Sequence, residues 1–284
     1  MQRWMTGDGR MMTYRREGRG PVLVGHPGGP GFSALYFGDF AGLGERLSLV
    51  MLNPRGTGGS DRPADRRAYA VADYVADLDE LRRHLGLDQM WLVGHSHGGV
   101  IAMAYAAAHP RRVSRLILAS TLARFAAEQI AAMEAAMEAK AGEPWYADAR
   151  AALEAEQAGA FSTDAEMAAL VLREWPLYFA RYGPAEAAYI EGLRVEVPNA
   201  DALRLFNQEI FNTFDLRPQL PRITAPTLVI TGEADFITGP VCSREIAAGI
   251  PHARTVLVPD CGHFIFVEAR ERFRREVLSF LATP

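Results

Sequence analysis

The apolar residues of the 284-residue chain fall into two kinds of run. Six are short and almost continuously apolar: VLVGH (22–26), SLVMLN (48–53), MWLVGH (90–95), RLILAS (115–120), TLVITG (227–232) and TVLVPD (255–260). A strand with one wet face alternates apolar and polar positions. Runs without alternation suit strands covered on both faces. Between these runs the apolar spacing changes to three and four. In 71–86, Val71, Tyr74, Val75, Leu78, Leu81 and Leu85 share one helical face, and Gly86 follows as the predicted C-cap. Residues 98–110 predict a short helix of small residues ended by Pro110, and 268–282 an amphipathic C-terminal helix. Strands alternating with helices predict an α/β fold, a mostly parallel, doubly wound sheet with helices on both faces.

That alternation stops near residue 121. From there to about 213 no segment reads as a strand. RFAAEQIAAMEAAMEAKAG (124–142) is rich in Ala, Glu and Met and favours helix, and further helical segments follow, punctuated by GEPW, EWP, YGP and VPN. LRPQLPRITAP (216–226) then leads back to a strand. The expected organisation is a core formed by 1–120 and 214–284, interrupted by a helical cap at 121–213.

Composition narrows the function classes. With 49% hydrophobic and 23% charged residues the chain is ordinary globular protein. Its net charge of −4, without basic clusters, gives no electrostatic reason to expect nucleic acid or an anionic membrane as partner. The first twenty residues lack an apolar core of signal-peptide length, and no stretch has the ~18 apolar residues of a membrane span. The two cysteines, Cys242 and Cys261, are too few for a disulfide framework and lack metal-ligand spacing. A cytoplasmic protein without metal or cofactor is expected.

The strongest chemical signal is LVGHSHGG (92–99). It holds Gly94-x-Ser96-x-Gly98 between a predicted strand and a predicted helix, the context that a nucleophile elbow requires. The small residues let strand and helix approach around a sharp turn, which exposes the Ser96 hydroxyl beside the N–H of His97. A serine needs a base, and the base an orienting acid. In this arrangement the chain order is serine, acid, histidine. Asp235 follows the strand at 227–232, and His263 follows the strand at 255–260, both at strand ends where catalytic loops gather. Asp260 is the rival acid, three residues before His263. Acyl transfer also needs donors for an oxyanion. The glycine-rich HPGGPG (26–31) after the first predicted strand suits this, and since proline has no N–H the donor is among Gly28, Gly29, Gly31 and Phe32.

These motifs together resemble the α/β-hydrolases, and within them the proline iminopeptidase group. The resemblance is carried by GGPG (28–31), NPRGTGGS (53–60), GHSHGG (94–99), GEADFIT (232–238) and DCGHF (260–264). It implies Ser96 as nucleophile, Asp235 as acid and His263 as base, with Gly29 and His97 as oxyanion donors. Pro27, inserted after His26, keeps Gly28 as the alternative donor. Asn53 stands where the group usually has Asp, and Phe236 where some members carry a glutamate for the substrate's amine.

An aminopeptidase must hold a cationic N-terminus with a partly desolvated carboxylate. Glu209 in FNQEIFN is the first choice, Glu174 in REWPLYF the second and Glu233 the third. Trp175, Phe206, Phe211 and Phe236 are candidate walls of an apolar substrate pocket. The expected activity is release of N-terminal proline or another small apolar residue from a small peptide or amide. The alternative is an esterase or lactonase with the same triad, which Phe236 favours. A non-catalytic receptor on this fold has no need of all three triad residues.

Overall fold

The computed structural model describes residues 1–283; Pro284, the last residue of the predicted 214–284 segment, lies outside them. Eight strands form one sheet: β1 (Gln2–Met5), β2 (Met11–Glu17), β3 (Val22–His26), β4 (Ser48–Asn53), β5 (Met90–His95), β6 (Val113–Ala119), β7 (Thr227–Gly232) and β8 (Ala253–Val258). Their order across the sheet is β1-β2-β4-β3-β5-β6-β7-β8. The six strands from β3 onward pair in parallel, whereas β1–β2 and β2–β4 are antiparallel.

All six predicted strands are present. The two antiparallel ones were not predicted, and their sequences explain why. β1 buries only Trp4, and MMTYRRE of β2 mixes Arg15, Arg16 and Glu17 into the run. An edge ribbon of this kind needs no continuous apolar stretch. The sheet from β3 to β7 is covered on both sides. One face carries α1 (Val71–His84) and α2 (His97–Ala108), through residues such as Tyr74, Leu78, Leu81, Val100 and Tyr105. The other carries Phe37, Phe40, Phe266 and Phe273. Gly86 adopts φ +68 after α1, as a C-terminal glycine should, with its N–H on the Arg83 carbonyl at 3.0 Å.

Between β6 and β7 the chain forms α3 (Ala127–Glu138), α4 (Tyr146–Gln157), α5 (Asp164–Glu174), α6 (Pro184–Leu193) and α7 (Ala200–Leu205). The two ends of this excursion meet: Arg124 and Asp215 form a single antiparallel bridge, and the Leu216 N–H reaches the Ala123 carbonyl at 2.9 Å. Its last turns are tied to the early loops. The Asn199 N–H donates to the Gly31 carbonyl at 2.9 Å, and its side-chain amide to the Tyr69 hydroxyl at 2.8 Å. After β7 come α8 (Pro240–Gly249), the short α9 (Ile265–Glu268) and α10 (Arg270–Ala282). Among the described residues no helix is long and apolar enough to cross a membrane.

Arg55 and Asn53 of the NPRGTGGS segment are buried and serve the loop itself. Arg55 makes a two-pronged pair with Asp77 of α1, at 2.7 and 2.8 Å. The Asn53 amide donates to Thr13 and the Gly58 carbonyl while its oxygen accepts from the Ala34 N–H at 2.8 Å. A carboxylate there would lose both donors, so the neutral residue fits this loop.

Candidate active site

β5 runs into α2 through Ser96 alone. At φ +54, Ser96 occupies a region that residues with a Cβ rarely adopt. The turn is held by its own N–H on the Ala119 carbonyl (3.0 Å) and by the Thr121 hydroxyl on the Ser96 carbonyl (2.7 Å). The flanking glycines are required by space. A Cβ on Gly94 would overlap the Gly98 carbonyl, and one on Gly98 would overlap the His26 and Pro27 carbonyls. Because those neighbours are backbone, they cannot move aside cheaply. Gly98→Ala is therefore expected to cost at least ~3 kcal/mol, read as a lowered midpoint in chemical denaturation.

His263 lies in the loop after β8 and is fixed at three points. Its N–H donates to the Tyr178 carbonyl at 2.7 Å, and its carbonyl faces His95 Nε2 at 2.9 Å. Its Nδ1 is 3.0 Å from Asp235 Oδ2, which leaves Nε2 for the cavity. Burial, then the neighbouring His263 charge, pushes the His95 pKa well down. A neutral His95 can donate from Nε2 while Nδ1 accepts from the Tyr36 hydroxyl 2.9 Å away.

Asp235 is buried beyond β7 with every lone pair occupied. Oδ1 accepts the N–H groups of Ile237 (3.1 Å) and Thr238 (3.0 Å), and Oδ2 accepts the Thr238 hydroxyl (2.6 Å) beside His263. Burial raises its pKa, but the His263 charge and the hydrogen bonds from His263 and Thr238 outweigh that and hold it below the ordinary carboxylate range. The rival Asp260 is exposed.

Ser96 stands between two chambers that also share Gly29, Tyr178 and Ile237. The larger, about 200 Å³, is lined by His97, Phe206, Phe211 and the amides of Gln157, Asn207 and Asn212. The smaller, about 80 Å³, contains His263, Tyr36, Trp175, Phe264 and Glu174. Gly29 borders both chambers; Gly28 borders neither, and a Cβ on it would run into the Tyr36 hydroxyl. Among the described residues, neither the Gly29 nor the His97 N–H has a protein acceptor.

Two of the predicted substrate-binding residues lie elsewhere. Glu209 is half-exposed and pairs with Arg67 at 2.8 Å on the surface, because the π-helical turn at Phe206–Ile210 sends Phe206 inward and Glu209 outward. Phe236 is buried against Tyr178, Met133, Met137 and Leu177, behind the chambers rather than in them. Glu233, the third-ranked carboxylate, is exposed.

Glu174, by contrast, is 3% exposed, and its Oε2 has no hydrogen-bond partner among the described residues. Burial, then the nearby Glu156, raises its pKa well above the carboxylate range, with the Tyr178 hydroxyl opposing. Burial alone pushes Glu156 to about 7, against an Asn207 amide bond of 3.0 Å. Among the described residues no lysine or arginine offsets either carboxylate. Sequence reading did not find Glu156, which sits among the surface-like glutamates of α4. It also did not find Thr238, although Asp235-x-x-Thr238 has the spacing of a turn in which Asp caps the following N–H groups. Among the described residues no group of three His, Cys, Asp or Glu side chains is arranged to hold a metal ion.

Residues 21–269 match the family described as the alpha/beta hydrolase fold. The chain belongs to this α/β-hydrolase family. It resembles proline iminopeptidases. The enzyme of that name from Levilactobacillus brevis is 30% identical over 92% of this chain and 88% of its own length. That of Lactobacillus delbrueckii subsp. lactis is 29% identical over 95% and 94%. Among solved structures, a hydrolase from Pseudomonas aeruginosa PA01 superimposes with a TM-score of 0.74 at 28% identity, covering 99% of this chain and 98% of that one.

Proposed function

We propose that this α/β-hydrolase is a serine aminopeptidase that releases N-terminal proline or another small apolar residue, with 121–213 as the cap over its site. The observation that carries this reading is Glu174: a buried carboxylate with a free oxygen, sharing the smaller chamber with Ser96 and His263. A buried carboxylate without a cation is unfavourable unless something supplies the charge. A substrate ammonium does so, and Glu156 adds to the attraction. Trp175, Phe264 and Tyr36 then flank the apolar ring of the first residue.

In the mechanism the Ser96 hydroxyl attacks the scissile carbonyl while His263 Nε2 takes its proton, the tautomer being set by Asp235 at Nδ1. The N–H groups of His97 and Gly29 receive the oxyanion. His263 protonates the leaving amine, which departs through the larger chamber, whose three side-chain amides suit a peptide backbone. Water repeats the sequence on the acyl-enzyme. The neutral esterase or lactonase reading uses the same steps without Glu174.

Glu174→Gln separates the two. It is expected to lower kcat/KM for aminoacyl-nitroanilides by about 30-fold or more, the effect of removing one partner of a buried ion pair at ~2–5 kcal/mol. Hydrolysis of nitrophenyl acetate is expected to change less than about threefold. Equal losses on both substrates, or no nitroanilide cleavage by the wild type, would exclude the aminopeptidase reading. The same variant reports on stability. A carboxyl whose folded pKa is raised keeps a proton that the unfolded chain releases, so stability falls as pH climbs from the ordinary 4.5 through the folded value, about 7 for Glu156. Glu174→Gln is expected to raise the melting temperature by several degrees near pH 8 and less near pH 5.

A further inference from the structure

Beyond the smaller chamber lies a second, mainly apolar groove of about 220 Å³, open to the surface, bordered by Leu193, Arg194, Glu196 and Pro198 and floored by Ala165, Ala168 and Leu172 of α5. Phe32, Val171 and Trp175 line both spaces, one from each side. These three side chains are thus the common boundary of the smaller chamber and the groove.

We propose that Phe32 and Val171 set the upper size of the acyl group the enzyme accepts, about that of a proline ring, by closing the smaller chamber off from this surface groove. The inference rests on the serine-hydrolase reading of Ser96 but not on the amine clamp.

The three wall residues are not equally replaceable. Trp175 is clamped: it stacks on Phe264 at 5.1 Å and 6°, with Tyr178 and Tyr189 rings beside it. Removing it would collapse the smaller chamber as well. Val171 is held by α5 in the stiff rotamer of a β-branched helical residue, so its two methyl groups form a fixed barrier that truncation simply deletes. Phe32 lies tilted against Tyr36 at 5.8 Å and edge-on to Trp175 at 6.0 Å, and is partly exposed on the loop that follows the glycine run. Truncating it removes no buried stack. The groove is walled mainly by alanine and aliphatic side chains, which suits an apolar extension of the acyl chain.

The test compares p-nitrophenyl acetate with p-nitrophenyl 4-phenylbutyrate. In the Phe32→Ala/Val171→Ala double variant, kcat/KM for the phenylbutyrate ester relative to the acetate is expected to rise about tenfold or more over wild type. Adding Ala168→Phe, which fills the groove from a position outside the smaller chamber, is expected to remove that gain. An unchanged ratio in the double variant, or a gain that survives Ala168→Phe, overturns the proposal while leaving the hydrolase reading standing. If Ser96→Ala retains more than a tenth of wild-type turnover, the serine-hydrolase reading fails instead. The wall is then judged without catalysis, by a crystal structure of the double variant soaked with 4-phenylbutyrate. A phenyl ring between Ala168 and Leu193 supports it; a ring in the larger chamber, or no bound ligand, overturns it.

Discussion

Ser96→Ala is expected to lower kcat by a factor of about 10⁴ or more on every substrate the enzyme accepts, with KM little changed. The hydroxyl is the only protein group in the proposed mechanism that forms a bond to carbon, and without it no acyl-enzyme can form. What survives is the contribution of the glycine-loop and His97 donors and of substrate binding. The loss is not a folding defect, because alanine meets the same backbone restriction as serine at φ +54. Ser96→Gly makes that distinction measurable. Glycine adopts this conformation without strain, and the variant is expected to be as inactive as the alanine one yet about 1 kcal/mol more stable. Single-turnover rates and melting curves on the three proteins check both statements. Turnover above a tenth of wild type in either variant would sink the assignment of Ser96.

The doubly buried strands were legible because burial on both faces removes every polar position, leaving a run that no helix of that length produces. SLVMLN and TLVITG even gave their ends correctly, closing on Asn53 just before the turn at Pro54 and on Gly232, which starts a turn. β1 and β2 were not legible for the converse reason. Their pairing is set by their neighbours in space, and a strand with one wet face and three charged residues resembles a loop in isolation. The helices of 121–213 were legible as helices, yet their arrangement over the sheet was not, because amphipathic periodicity marks a buried face without saying what buries it.

The site divides along the same line. The placement of Ser96, Asp235 and His263 at one end of the sheet was readable because each follows a strand, and strand ends are fixed by the sheet. For the carboxylates, the sequence order put Glu209 ahead of Glu174, whereas the structure buries Glu174 beside the smaller chamber and exposes Glu209. Both stand beside aromatic residues, and only the switch from α-helix to a π-helical turn after Leu205 sends one to Arg67 and solvent. Glu156 had no signal, since its burial depends on α4 meeting Asn207 across the cavity. Short-range pattern thus placed the residues held by the sheet and ordered those held by helix packing wrongly.

The second large effect is expected from Asp235→Asn, with kcat reduced by about 10⁴ and KM nearly unchanged. The cause lies in the hydrogen-bond inventory. The asparagine oxygen can still accept the Ile237 and Thr238 N–H groups, which turns its NH₂ toward His263 Nδ1 and the Thr238 hydroxyl. A donor at that place forces His263 to accept at Nδ1 and carry its proton on Nε2. The base then faces Ser96 with a hydrogen where it needs a lone pair. Stability gives an independent check with a definite sign. The Asp235 carboxyl is held below its ordinary 3.8, so the ionised form stabilises the fold above that value, and the contribution is lost as pH falls below about 4. The stability of wild type is accordingly expected to drop relative to Asp235→Asn as pH is lowered from 5 to about 3, measured by denaturant midpoints. Parallel pH curves for the two proteins, together with retained turnover in the variant, would show that Asp235 neither bears a charge toward His263 nor sets its tautomer. Asp260, exposed at the adjacent turn, would then be the acid to replace next.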